Sequence, residues 1–108
     1  MHIFDVFKFP IGEILMLPEP IEIKDEIKRM MEMMDEKLAV WYGNKLQSYI
    51  YREVRGMIDW RSFLELMSRR TDELLKWVKG EVEWEELLNL IYREVRERRE
   101  SNLDSFLV

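Results

Sequence analysis

Residues able to do acid–base or nucleophilic chemistry near neutral pH are scarce in this chain. His2 is the one histidine and there is no cysteine, so thiolate nucleophiles, thiolate metal sites and disulfides are excluded. Proton transfer and covalent catalysis need a group that titrates near neutrality or an activated nucleophile, and a residue beside a chain terminus is a poor candidate for a positioned one. The four glycines are scattered rather than gathered into a phosphate-cradling loop, and no serine stands in a nucleophile elbow. Glu32, Asp35 and Glu36 have the oxygen chemistry of a hard-cation site. Lys28, Arg29 and Lys37 share their stretch, however, and the set reads as a solvated, ion-paired face. The expectation is a protein that is not an enzyme and holds no cofactor or metal.

Two groups of residues then carry whatever function is legible. The first is basic. Residues 45–79 hold 8 basic and 5 acidic groups, whereas the flanking segments are each acidic by 4 and the whole chain carries a net charge of -5. Arg52, Arg55, Arg61, Arg69 and Arg70 lie in that middle segment with Trp60, and arginine beside an aromatic ring can hold a single strand by charge and stacking. A net negative chain is nevertheless unsuited to general phosphate binding, and Trp60 falls on an apolar helical stripe where core packing accounts for it. These arginines are candidate nucleic-acid contacts only within a larger assembly.

The second group is apolar and stands at the carboxyl end, in "ESNLDSFLV", Glu100 to Val108. Ser101 and Asn102 favour turns over helix interiors, so the preceding helix is expected to end there and leave a short peptide. Leu103, Phe106 and Leu107 are spaced by three and then one, which places them on one side of a single tight helical turn as a plug for a hydrophobic pocket.

These residues resemble the sliding-clamp (PCNA)-interacting peptide, the PIP box. Its pattern is Gln, two variable residues, an aliphatic residue, two variable residues and two aromatic or bulky apolar residues. Leu103 matches the aliphatic anchor, Phe106 the first aromatic position and Leu107 the second, where Leu is commonly accepted. Glu100 stands where the family has Gln, and a carboxylate cannot donate the amide's hydrogen bonds. The resemblance covers eight residues and implies a sliding clamp as partner, in the manner of archaeal replication and repair proteins that carry the motif at a terminus. Residues 1 to 99 resemble no family. The competing reading is that the same three side chains fold back to cap the helical body.

The elements that would position these groups follow from hydrophobic periodicity. With 108 residues, 47% hydrophobic, the chain suits one domain with a modest core. Residues 2–17 are aromatic and β-branched around Pro10-Ile11-Gly12 and read as a β-hairpin, which must lie on the helices or pair with another chain. Pro18 and Pro20 then break the pattern. Helices are expected at about 25–42, 45–57, 60–79 and 82–99, capped by Asp25 and Asp59 and stopped at Gly43-Asn44 and Gly80. The first turns inward Ile27, Met30, Met31, Met34, Leu38 and Trp41. The second carries Leu46, Ile50, Val54, Met57 and Ile58, and the third Trp60, Phe63, Leu64, Met67, Thr71, Leu74, Leu75 and Val78. The fourth carries Trp84, Leu87, Leu88, Ile91 and Val95. The fold class is therefore mainly α, a four-helix bundle-like domain over residues 1–100 with an N-terminal β-hairpin and a short C-terminal tail, 101–108.

Inside it the hexapeptide "IYREVR" occurs at Ile50–Arg55 and again at Ile91–Arg96. Either a helical hairpin is duplicated, or two helices share similar solvent demands. Met30, Met31, Met33 and Met34 cannot all face one core, so Met33 is expected outside, and with Phe4 and Phe7 of the hairpin it marks a candidate interface between copies. A homo-oligomeric structural or regulatory protein, such as a small subunit of a ribonucleoprotein or toxin–antitoxin assembly, is thus the alternative function. No apolar run is long enough to span a bilayer, the amino end lacks a secretory signal, and the 36% charged, amide-poor composition fits thermophile usage. A cytoplasmic protein of a thermophilic archaeon is expected.

Overall fold

In the computed structural model the backbone is described for residues 17–107 and the side chains for residues 17–99. All of the expected hairpin except Leu17 lies outside the described residues, as do Phe4 and Phe7. Among the described residues the structure is mainly helical and contains no strand. Its elements are α1 (Ile21–Met30), α2 (Glu36–Val40), a 3-10 turn (Tyr42–Asn44), α3 (Lys45–Val54), α4 (Trp60–Arg69), α5 (Thr71–Val78) and α6 (Trp84–Leu107).

Four boundaries depart from the sequence expectation. The first helix begins at Ile21 after Pro20, with Asp25 inside it rather than capping it. Proline is compatible with a helix start because the first amides lack intrahelical partners, and Glu22 in the first turn with Lys28 and Arg29 in the last complements the dipole. That helix then breaks at residues 31–35, because the Asp35 carboxylate accepts from the Lys37 amide at 3.0 Å and starts α2. The new phase buries Ala39 and Val40 and leaves Leu38 exposed, contrary to its place on the predicted stripe. The expected helix 60–79 likewise divides at Arg70, whose φ of -113° is off the helical value. There the Thr71 hydroxyl donates back to the Ser68 carbonyl at 3.2 Å, a local competitor of the helix ladder. The fourth departure is at the carboxyl end. Helix α6 continues to Leu107 instead of stopping near residue 99, because Ser101 and Asn102 each cost only tenths of a kcal/mol in a helix interior and neither Gly nor Pro follows Trp84.

Other punctuation matches its chemistry. Gly43 (φ 63°) and Asn44 (φ 52°) turn the chain in the left-handed region, open to Gly and tolerated by Asn. Gly80 (φ 82°) closes α5 with bonds from the Gly80 amide to the Trp77 carbonyl (3.0 Å) and from the Glu81 amide to the Lys76 carbonyl (2.7 Å), the Schellman pattern. Asp59 caps α4, accepting from the Ser62 amide at 3.1 Å. Hydrogen bonding by the Ser62 side chain, and then by its amide, holds the Asp59 carboxyl below the ordinary value of 3.8, so the carboxylate stabilises the fold above that pH and the contribution is lost as pH falls through the lowered folded value. Asp59→Ala is expected to lower the melting temperature at pH 7, with the difference from wild type shrinking below about pH 4; thermal melts read by CD across that range check it.

The α4–α5 rod runs antiparallel to α6: Arg98 of α6 donates to the Ser62 carbonyl (2.9 Å), Arg70 pairs with Glu94, and Trp77 meets Trp84 with ring centroids 4.9 Å apart. Helix α3 also runs antiparallel to the rod, its Tyr51 touching Trp60 and Phe63 (5.1 and 5.0 Å) and its Tyr49 lying 6.2 Å from Trp84. Thus α3 and α6 lie side by side in one direction, and α1 and α2 cover α5. The core between them holds Leu46, Ile50, Val54, Phe63, Met67, Leu74, Trp77, Val78, Leu88, Ile91 and Val95, none of them solvent-exposed. Leu66 is buried where Leu64 was expected, and Leu64 is half-buried. Gln47 is also fully buried, its Nε2 donating to the Val40 carbonyl at 3.2 Å while Oε1 has no partner.

The duplicated hexapeptides have matching environments. Ile50 and Val54, like Ile91 and Val95, are fully buried; Tyr51 and Tyr92 are half-buried; Arg52, Arg55, Arg93 and Arg96 are exposed. The match extends back through Leu46 with Leu87 and Gln47 with Leu88, all buried. It fails at the glutamates, since Glu53 is exposed whereas Glu94 is held by Arg70.

Candidate functional site

The five candidate arginines do not form one surface. Arg52 and Arg55 are exposed near the end of α3, with the Arg52 guanidinium 5.9 Å from the centre of the Tyr49 ring, and Arg61 is exposed at the start of α4. Arg69 and Arg70 stand at the other end of α4, about 13 Å away at 1.5 Å per residue. Arg70 is committed to Glu94, and its neighbouring carboxylate raises its already high pKa. Trp60 is half-buried and stacked on Phe63 with centroids 6.0 Å apart, so it serves packing, as the apolar stripe implied.

Carboxylates and lysines line an open cleft of about 550 Å³ between α2 and α5. Lys79 Nζ donates to Glu36 at 2.9 Å, and Lys37 lies 3.5 Å from Asp72. These exposed pairs tie the two helices together weakly and give the cleft the character of an ion-paired surface. Among the described residues no group of three or more His, Asp or Glu side chains is placed to hold a metal ion. Lys79 is pushed up by Glu36, Tyr49 is pushed up mainly by burial, and Asp59 is pushed down by its hydrogen bonds. Each of these groups moves away from neutral pH, where a general acid or base has to be poised.

Exposed apolar side chains concentrate near α2. Met33 is 77% exposed, Leu38 64% and Tyr42 47%, while Met30, Met31 and Met34 pack against the core. For Glu100, Leu103, Phe106 and Leu107 the backbone is helical as part of α6, and their side chains lie outside the described residues.

An aromatic cluster went unrecognised in the sequence. Trp84 Nε1 donates to the Leu17 carbonyl (3.0 Å), the Tyr49 hydroxyl to the Pro18 carbonyl (2.6 Å) and Trp77 Nε1 to Glu19 Oε1 (3.0 Å). The partners are 67, 31 and 58 residues apart, so periodicity within one segment carries no trace of them; the surplus of tryptophans was the one available signal. Arg98, which also bonds Glu65 at 3.1 Å, was hidden in the charge run for the same reason.

Comparison of the chain with known protein families, curated proteins and solved structures gives no match. Among the described residues no helix is long and apolar enough to cross a membrane.

Proposed function

We propose that the chain is a small non-enzymatic adaptor or regulator that binds a replication sliding clamp through Glu100, Leu103, Phe106 and Leu107. The observation that carries this reading is the apolar spacing of three and four, set in a backbone that is helical through Leu107. Residues three and four apart share a helix face, and a few apolar anchors in one pocket can dominate an interface. Arg98 holds α6 to α4, and Leu107 lies nine residues further, about 13 Å along the helix, which gives the segment reach. In this reading the body is a bundle of four helical rods, α1–α2, α3, α4–α5 and α6, with a hairpin over residues 2–17. Its setting is the cytoplasm of a thermophilic archaeon, where the body recruits or obstructs a second component of the DNA replication or repair machinery. The test is capture by an immobilised archaeal clamp. Phe106→Ala is expected to abolish capture while leaving the helical CD signal unchanged, and removal of residues 101–108 to abolish it with the loss of only the helical signal of the deleted residues. Failure of the wild-type chain to bind overturns the reading.

Self-association is the second reading, favoured by the exposure of Met33, Leu38 and Tyr42. It expects a defined dimer or larger species by light scattering that persists when residues 101–108 are removed.

A further inference from the structure

The contacts of Leu17, Pro18 and Glu19 are those of a docked peptide. Three successive residues offer acceptors, and each is met by one donor from a separate part of the body: Trp84 Nε1 to the first carbonyl, the Tyr49 hydroxyl to the second and Trp77 Nε1 to the Glu19 carboxylate. The segment is neither helix nor strand, and Pro18 and Glu19 are exposed. Proline has no amide to leave unpaired, so an apolar–Pro–Glu sequence suits a site that supplies donors only.

The receiving surface is aromatic and carries one charge of the complementary sign. Trp77 and Trp84 lie 4.9 Å apart, Tyr49 flanks Trp84, and the Lys24 ammonium sits 5.0 Å over the Trp77 ring and 3.7 Å from Glu19. Aromatic walls with fixed hydrogen-bond donors are the means by which proline-containing peptides are recognised. The Leu17 side chain is buried as part of the hydrophobic core.

We propose that Tyr49, Trp77, Trp84 and Lys24 form a peptide-recognition clip for an extended apolar–Pro–Glu segment, filled here in cis by Leu17–Glu19, which therefore competes with a partner peptide of the same chemistry. The tethered segment has a local concentration in the millimolar range, so the wild-type clip is closed to weak ligands and opens when the cis segment is weakened.

The test uses the full chain with Glu19→Lys, which removes the acceptor of Trp77 and sets a second ammonium beside Lys24. The probe is an acetylated, amidated peptide with the sequence of residues 17–21, and the readout is the indole N–H signal of Trp77 in the NMR spectrum. Substitution is expected to move that signal, and millimolar peptide to return it towards the wild-type position along a saturating curve, whereas a peptide carrying Lys in place of its Glu leaves it where it was. A signal that does not move on substitution, or a folded variant whose spectrum shows no saturable response at about 10 mM peptide, overturns the proposal. Should Glu19→Lys fail to fold, Glu19→Ala, which also removes the acceptor, replaces it. Loss of the helical CD signal in both variants also overturns the proposal, because the segment is then a fixed part of the fold.

Discussion

Trp77→Ala is expected to lower the stability of the protein by about 3–5 kcal/mol, the usual cost of removing a large buried aromatic side chain. Trp77 is fully buried, touches Trp84, and donates its indole N–H to Glu19. Truncation opens a cavity under α5 and releases the carboxylate that fastens the chain ahead of α1. A domain of this length has only about 5–15 kcal/mol to lose, so the variant should unfold at a markedly lower urea concentration. Trp77→Phe keeps most of the apolar volume and loses only the donor, and is expected to cost about 1–2 kcal/mol. Urea melts followed by CD compare the two; equal losses would mean that the hydrogen bond rather than the packing sets the stability of this region.

Ile50→Ala and Ile91→Ala, the first residues of the two identical hexapeptides, are each expected to cost about 2–5 kcal/mol. Both are fully buried, on helices that lie side by side, so the double variant should be largely unfolded at 37 °C. Arg52→Ala and Arg93→Ala, in the same hexapeptides but exposed, should each shift stability by less than about 0.5 kcal/mol. Chemical denaturation of the four single variants and the double variant reads this contrast directly. A small effect at either isoleucine would place that copy of the hexapeptide outside the cooperative core.

Much of the helical order was legible in the sequence. Apolar residues recurring at Leu46, Ile50 and Val54 and at Leu87, Ile91 and Val95 identify the inner faces of α3 and α6. Asp59, Gly80 and the Gly43-Asn44 pair were recognisable as punctuation because each acts on backbone amides or dihedral angles within a few residues of itself. Where the reading failed, two local signals competed. The methionine-rich stretch satisfies helical periodicity, but the Asp35 cap outweighs it and rotates Leu38 into solvent; at Arg70, the Thr71 hydroxyl competes with the helix ladder. At Ser101 and Asn102 the opposite holds: their turn preferences are too weak to interrupt a helix that continues to Leu107.

The candidate sites divide along the same line. Met33 was placed outside the core by counting, because one helix face cannot accommodate four neighbouring methionines, and its 77% exposure agrees. The arginines could be listed by charge but not paired: Arg70 with Glu94 and Arg98 with Glu65 depend on how the α4–α5 rod lies against α6. The grip of Trp84, Tyr49 and Trp77 on Leu17–Glu19 was invisible for the same reason.

Composition and periodicity are properties of neighbours along the chain, and they were sufficient for the helical class, the buried faces and most of the turns. Which donor reaches which distant acceptor depends on the packing angle and register of whole helices. Those are settled only when the apolar faces come together, so the aromatic clip and the ion pairs of α6 belong to the folded arrangement and to no single segment of the sequence.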